Sequence, residues 1–139
     1  ADEVIPTCRE LGIGFVPYSP LGRGFLTGRF RSGGDFGSGD YRNNDPRMGA
    51  ENLAANLAIV EALEGLATAH EVTPAQMAIA WVLAQGEDVV PIPGTKRLTR
   101  LEENVAATRV RLSAEELAAL DALPRPRGDR FADMSHIDS

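Results

Sequence analysis

Residues 89–104 read VVPIPGTKRLTRLEEN, and this stretch decides how the chain is organised. A short apolar run ends in Pro-Gly, and a threonine, a lysine and an arginine follow before an amphipathic run begins. The pattern predicts a buried strand that leads into the N-terminus of a helix surrounded by positive charge. Free N–H groups, the helix dipole and cationic side chains at such a position favour a phosphate. The stretch therefore predicts a site for a phosphorylated ligand.

A second apolar run, residues 13–18, ends in the same way and leads into a glycine-punctuated loop. We predict strands at residues 13–18 and 89–92. The first is mostly apolar on both faces, as in a parallel sheet covered on both sides. Strands separated by helices indicate a parallel α/β arrangement. Two strands cannot make a stable independent sheet, so the sequence implies further strands upstream. A helical pattern already under way at Val4 agrees with that expectation.

Apolar residues at helical spacing and capping signals predict four helices after the first strand. Residues 73–76 and 113–116 each form a capping box, and proline occupies the first helical position of the earlier one. In the helix that follows the second strand, Leu101 and Val105 are expected to face inward. The predicted helices cover about residues 50–70, residues 74 to near Gly86, residues 98–108, and a segment that begins after Ser113.

Two segments carry little regular pattern. Residues 31–44 are rich in glycine and polar residues, a composition that cannot bury enough apolar area to order itself. Such a loop in a compact domain is either a functional lid or a passive insert, and the sequence leaves both open. From Pro124 to the end, residues 124–139 are rich in proline, arginine and aspartate, and we predict an irregular tail.

The composition restricts the class of protein. The 139 residues are enough for one domain, and the net charge of −6 argues against a general nucleic-acid binder. The chain has a single cysteine, so it cannot form an internal disulfide, and it contains no cluster of cysteine and histidine residues of the kind that predicts a metal site. No apolar run in the sequence is long enough to span a membrane. We therefore expect a cytoplasmic protein. Lys96 is the only lysine, which makes its place between Gly94 and Arg97 notable.

The loops after the two predicted strands carry the chemistry. Both contain glycine, proline, hydroxyl residues and arginine, and adjacent parallel strands would place them on one face. In (β/α)8 barrels the loops after strands 7 and 8 often form a phosphate site. The sequence contains no nucleophile elbow, no zinc-protease motif and no Walker loop.

In these two loops the chain resembles the aldo/keto reductase family. Residues 18–28, YSPLGRGFLTG, are similar to the family's segment after strand 7, and residues 92–97, IPGTKR, to the segment after strand 8. Residues 45–47 and 78–83 fit between them in the family's order, and the likeness extends to about Leu123. The resemblance implies the C-terminal portion of a (β/α)8 TIM barrel. That portion would hold about two parallel strands with helices, incomplete as a barrel, with residues 1–139 truncated upstream.

The resemblance also implies a cofactor, NADP(H), and a small carbonyl substrate. Tyr18 would lie against the nicotinamide, and the loop Ser19, Pro20, Leu21, Gly22, Arg23 and Gly24 would follow the pyrophosphate. Gly94, Thr95, Lys96 and Arg100 would hold the adenosine 2′-phosphate, with Glu103 and Asn104 at the adenine end. An aromatic plate suits a flat ring, and a hydroxyl with two cations suits a dianionic phosphate.

Four of these positions have other interpretations from the residues alone, and Lys96 is one of them, since it fits a plain surface residue. Tyr18 fits a core aromatic at a strand end, and Arg23 fits a solvated loop charge. Glu103 fits a helix-surface residue that pairs with Arg100 three positions earlier. By contrast, Asn104 is a poor residue for a helix interior, which favours a functional role.

The family's catalytic aspartate, tyrosine, lysine and histidine lie on earlier strands, and none of them can be placed here. The resemblance therefore implies a cofactor-binding part whose partner is the N-terminal half of the barrel. An alternative is a regulatory or auxiliary module that holds NADP(H) and acts through a protein partner. A self-standing small α/β domain without a cofactor is a third possibility.

Overall fold

The computed structural model describes residues 3–132, and five α-helices make up most of its regular structure. The helix predicted over residues 50–70 is confirmed, and the two predicted capping boxes begin the helices they were expected to begin. The α-helices are α1 Val4–Glu10, α2 Ala50–Ala69, α3 Pro74–Leu83, α4 Leu98–Ala106 and α5 Ala114–Asp121. Short 3-10 helices cover Gly22–Thr27, Gly33–Asp35, Tyr41–Asn44, Pro46–Met48 and Ala107–Arg109. The first of them is interrupted by a kink at Arg23 and Gly24, whose backbone is not helical.

The two predicted strands lie side by side and parallel, but they do not form a continuous ladder. Within the described residues, pairing is limited to two isolated bridges, Phe15 with Val89 and Tyr18 with Ile92. Backbone hydrogen bonds of 2.9 and 3.4 Å run from the amides of Val90 and Ile92 to this first segment. In the other direction, the amide of Phe15 donates to the carbonyl of Asp88 at 2.7 Å. The expected parallel arrangement is present, therefore, but as two extended segments and not as two strands.

Helix α2 lies at the centre of the core. One end of its apolar stripe packs with a cluster from the 3-10 segments, and the other end packs with α3 and α5. Val60 on α2 and Met77 on α3 have no exposed surface. The first cluster consists of Phe25, Phe36, Met48, Leu53 and Val60, and the second of Leu63, Ala67, Met77, Ala78 and Leu120.

The inward placement of Leu101 and Val105 on α4 is wrong. Their exposed fractions are 49 and 58 %, whereas Asn104 and Ala107 are buried. The side of α4 that meets α3 is polar: Gln76 of α3 donates to the Glu103 carbonyl at 3.1 Å. Helical periodicity identifies an apolar face, but the polar contacts with α3 determine which way the helix is turned.

The loop of residues 31–44 is more ordered than its composition predicts. It contains two 3-10 helices, and Phe36 is buried in the first core cluster with its ring 4.8 Å from that of Phe30. One aromatic side chain inserted into the core supplies the apolar burial that the glycines and polar residues lack.

The predicted tail is described as far as residue 132, and it contains neither helix nor strand over residues 124–132. The remainder of the predicted tail, residues 133–139, lies outside the described residues. No helix in the described part of the chain is both long and apolar enough to cross a membrane.

Candidate functional site

The two loops predicted to carry the chemistry face each other across a cleft of about 430 Å³, which we call the interloop cleft. The parallel bridges cause this arrangement, because they bring the ends of both extended segments to the same edge. Ten of the thirteen predicted site residues line the cleft, whereas Tyr18, Gly22 and Lys96 do not. The ten are Ser19, Pro20, Leu21, Arg23, Gly24, Gly94, Thr95, Arg100, Glu103 and Asn104.

The first loop has an unusual backbone. Ser19 and Arg23 have φ values of +53 and +58°, in the left-handed region that side chains disfavour. Gly22 and Gly24, on either side of Arg23, have φ values of +56 and +91°. Residues held in this region cost about 1–3 kcal/mol each and cluster where a backbone must meet a ligand. The strain at Ser19 and Arg23 therefore marks this loop as a candidate binding element.

Arg23 is held by a buried carboxylate. Its Nη1 lies 2.7 Å from Oδ2 of Asp45, and the exposed fractions of the two side chains are 18 and 5 %. The other oxygen of Asp45 accepts the backbone N–H of Arg47 at 3.0 Å, capping a 3-10 helix. Arg23 is thus a positioned cation at the cleft wall, and its interpretation as a solvated loop charge is wrong.

Arg42 supports the first loop from behind. Its guanidinium forms hydrogen bonds of 2.9 and 2.6 Å with the carboxylate of Asp40. Its Cζ lies 4.4 Å from the ring centroid of Phe30 and 4.7 Å from that of Phe36. It also donates to the Arg23 carbonyl at 3.4 Å. The loop of residues 31–44 therefore forms one wall of the cleft.

The ion pair between Asp40 and Arg42 is expected to persist in acid, because Arg42 keeps the Asp40 carboxylate ionised. Hydrogen bonds from the Arg42 side chain, and then from its backbone, lower the pKa of Asp40 from 3.8 to about 2. Because this pKa lies below the unfolded value, the stabilisation is complete above pH 3.8 and is lost as the pH falls through about 2. In a carboxyl NMR titration we expect Asp40 to stay ionised at pH 3.

The control is Arg42→Ala, in which the pKa of Asp40 should return towards 3.8. A wild-type titration with its midpoint already near 3.8 would show that the pair does not hold the carboxylate in solution.

The second loop carries its polar groups outward. The Thr95 hydroxyl accepts the backbone N–H of Arg97 at 3.1 Å, which closes a local turn before α4. A Cβ added at Gly94 would meet no atom within 4 Å. Lys96 is exposed and forms no salt bridge within residues 3–132. The loop therefore presents a hydroxyl, an open backbone position and an ammonium group together.

Arg100 and Glu103 form a pair at the start of α4. The Arg100 Nη1 contacts Oε2 of Glu103, and Oε1 of Glu103 accepts the Thr73 hydroxyl at 2.6 Å. Burial acts to raise the pKa of Glu103, but the hydrogen bonds from Thr73 and Arg100 outweigh it and the pKa lies below its usual value. The predicted pairing is present, but Glu103 is a half-buried link to α3 and not a surface residue. Asn104, beside it, is buried against the cleft.

Tyr18 is 59 % exposed, so its interpretation as a core aromatic is wrong. The Arg130 guanidinium lies over its ring, 4.5 Å from the centroid, and 5.8 Å from the ring of Phe131. Arg23 lies 5.0 Å from that same Phe131 ring. Arginine side chains stacked on aromatic rings thus connect the tail to the first loop. Each such cation–π interaction contributes about 0.5–2 kcal/mol.

Arginines predominate among the charged residues that line the cleft. Arg23, Arg29, Arg42 and Arg100 line it, and Glu103 is the one carboxylate among its described lining residues. A carboxylate pairs with Arg23, Arg42 and Arg100 in turn. The N–H donors that these pairs leave free favour an anionic ligand at this position.

Sequence reasoning missed several cleft residues. Arg29, Phe30, Tyr41 and Arg42 line the cleft, and they come from the loop and its approach. One sequence signal could have identified Arg42, namely its position two residues after Asp40. An aspartate before a turn often accepts the backbone N–H of the residue two positions later, as Asp40 does from Arg42. No local signal links Arg130 to Tyr18, since they lie far apart in the chain.

The model of the "Aldo/keto reductase family" matches residues 1–125 of this chain. Among curated proteins, the chain is 53 % identical over 110 residues to the aldo-keto reductase yakc [NADP(+)] of Schizosaccharomyces pombe. That alignment covers 79 % of this chain and 32 % of the relative. A probable aldo-keto reductase 1 of Glycine max is 51 % identical over 124 residues, covering 88 and 36 %. The chain spans about a third of the length of these curated relatives.

Among solved structures, the chain resembles a glycerol dehydrogenase of Gluconobacter oxydans with a TM-score of 0.80 and 26 % identity. The match covers 95 % of this chain and 42 % of that one. The likeness supports the α/β architecture that the sequence predicts, although the described residues contain bridges in place of strands.

Proposed function

Because the chain belongs to the aldo/keto reductase family, we propose that it binds NADP(H) in the interloop cleft and serves an enzyme that reduces an aldehyde or a ketone. One observation carries the proposal: the cleft joins the strained first loop to the cationic start of α4. A relative that is 53 % identical is itself named for NADP(+). When bound, NADPH supplies the hydride, and the residues of this chain hold and orient it.

The first loop would hold the pyrophosphate. Gly22 and Gly24, in the left-handed conformation on either side of Arg23, would let the backbone come close to a ligand because they carry no side chain. Arg23, fixed by Asp45, would add a positive charge that needs no reorganisation on binding. Ser19, Pro20 and Leu21 complete this wall of the cleft. Tyr18 lies outside the lining, and it would present to the nicotinamide the face of its ring that Arg130 does not cover.

The second loop would hold the adenosine 2′-phosphate. Thr95 supplies a hydroxyl, Lys96 a mobile ammonium and Arg100 a planar guanidinium, which together suit a dianion. Gly94 leaves room for the ligand, since a side chain there would extend into open space. Glu103 and Asn104, one turn further along α4, would meet the adenine.

The residues that transfer the proton would lie in another part of the enzyme. No residue of this chain matches the catalytic aspartate, tyrosine, lysine and histidine that the family resemblance implies. We propose that the chain is the C-terminal part of a larger barrel, and that the other half supplies this group and most of the pocket for a small carbonyl substrate.

We expect the 139-residue chain to bind NADPH at least about 10-fold more tightly than NADH, since charge-assisted hydrogen bonds contribute about 1.5–3 kcal/mol each. Isothermal titration with each dinucleotide measures the ratio. The same chain should not oxidise NADPH when an aldehyde is added. Absence of saturable NADPH binding would overturn the cofactor assignment, and carbonyl-dependent oxidation by the pure chain would overturn the assignment of proton transfer to another part.

A further inference from the structure

The capping box that begins α3 does more than cap its helix. The Thr73 hydroxyl accepts the backbone N–H of Gln76 at 3.2 Å, and the Gln76 side chain accepts the backbone N–H of Thr73 at 2.9 Å. Both side chains then continue to α4. Thr73 donates its hydroxyl proton to Oε1 of Glu103, and Gln76 donates to the carbonyl of the same residue. The N-terminus of α3 therefore holds Glu103 at two points.

A second capping box in the same chain shows that capping does not require this connection. Ser113 at the start of α5 accepts the backbone N–H of Glu116 at 3.2 Å, as Thr73 does for Gln76. Glu116, in turn, contacts His70 at the end of α2. No carboxylate receives the Ser113 hydroxyl among the bonds of the described residues. A capping box therefore does not require a bond such as the one from Thr73 to Glu103, and this bond is a separate feature of α3.

Glu103, which is held by Thr73 and Gln76, in turn restrains the side chain of Arg100. One carboxylate oxygen of Glu103 accepts a hydrogen bond from the Thr73 hydroxyl, and the other accepts one from Nη1 of Arg100. The Glu103 side chain is 14 % exposed, whereas that of Arg100 is 41 % exposed. A guanidinium has five N–H donors, so one bond to Glu103 leaves others for a phosphate. Arg100 is therefore anchored from its buried side while its outer side faces the cleft.

We propose that Thr73 is a positioning residue which, through Glu103, sets the orientation of Arg100 and thereby raises the preference for a dinucleotide that carries a 2′-phosphate. This inference rests on the proposed function. Its physical basis is preorganisation: a long side chain that is already ordered loses less freedom when the ligand arrives. The contribution acts on the phosphate contact and leaves an unphosphorylated dinucleotide almost unaffected.

The test uses three substitutions at position 73 of the 139-residue chain. Thr73→Ser keeps the cap and the hydroxyl proton, and Thr73→Val has neither. Thr73→Asp keeps a capping oxygen but has no proton to donate, and it replaces the attraction to Glu103 by repulsion between two carboxylates. Dissociation constants for NADPH and NADH are measured by titration. We expect Thr73→Val and Thr73→Asp to lower the preference for NADPH roughly 3- to 10-fold, the size of one ordering penalty, and Thr73→Ser to retain it.

The matched control is Ser113→Ala, which removes an equivalent cap at α5. It should lower the melting temperature about as much as Thr73→Val and leave the ratio of the two dissociation constants unchanged. Thr73→Asp keeps the test decisive even if Thr73→Val does not fold. If the wild type prefers NADPH and both proton-deficient variants keep that preference, the positioning role is wrong while the proposed function stands. If the wild type shows no preference, both proposals fail.

Discussion

Replacing Lys96 and Arg100 together by alanine is expected to weaken NADPH binding about 100-fold or more, because each removes charge-assisted hydrogen bonds of about 1.5–3 kcal/mol. NADH binding should weaken less than about 3-fold, because the unphosphorylated ribose offers no dianion to these cations. The measurement is a titration of the 139-residue chain with both dinucleotides at one ionic strength. The ratio of the two losses, and not either loss alone, identifies a 2′-phosphate site.

The control for this double variant is Arg97→Ala. Arg97 is an exposed arginine of the same loop, and its contact with Thr95 uses the backbone N–H, which alanine retains. It should change the two dissociation constants by a small and similar factor. Equal losses of NADPH and NADH in the Lys96/Arg100 double variant would mean that the stretch is only a cationic surface.

Asn56→Ala is expected to reduce the free energy of unfolding by about 2–4 kcal/mol, because buried backbone groups lose their partners. Asn56 is 1 % exposed and lies on α2. Its side-chain amide donates to the carbonyls of Arg47 and Arg127 at 2.9 and 3.0 Å, and its carbonyl accepts the Arg127 N–H at 2.7 Å. These bonds attach the tail to the core just before Arg130, which lies over Tyr18. Urea unfolding measures the loss, and hydrogen exchange over residues 124–132 should accelerate.

Asn52→Ala is the matched control, one turn earlier on the same helix. Asn52 is half-buried and donates one side-chain hydrogen bond, to the carbonyl of Pro46 at 2.9 Å. It should cost no more than about 1 kcal/mol, the usual value of a single bond. Comparable losses in the two variants would contradict the role of Asn56 as the anchor of the tail.

Local chemistry predicted the features that depend on neighbours in the chain. The capping boxes at Thr73 and Ser113 and the helix over residues 50–70 were predictable because side chain and backbone partners lie within four residues. The two candidate loops were predictable for a related reason: each follows its extended segment directly, and parallel segments end at one edge. Ten of the predicted site residues consequently line one cleft.

Features that depend on distant partners were not predictable. Leu101 and Val105 have the spacing of a buried face, yet contacts with Gln76 turn α4 so that they are exposed. The glycine-rich loop was expected to lack order, because composition does not reveal that Phe36 inserts into the core. The continuous strands were overestimated, because the two extended segments pair only through the isolated bridges at Phe15 and Tyr18.

By itself, then, the sequence determined the order of the elements, their caps and the two loops that carry the cationic and glycine-rich chemistry, because these depend on short-range spacing. Only the tertiary structure decided how that chemistry is held. Asp45 fixes Arg23, Thr73 reaches Arg100 through Glu103, and Arg130 lies over Tyr18. The partners in these contacts are up to 112 positions apart, and which residues meet at such separations depends on how the helices pack.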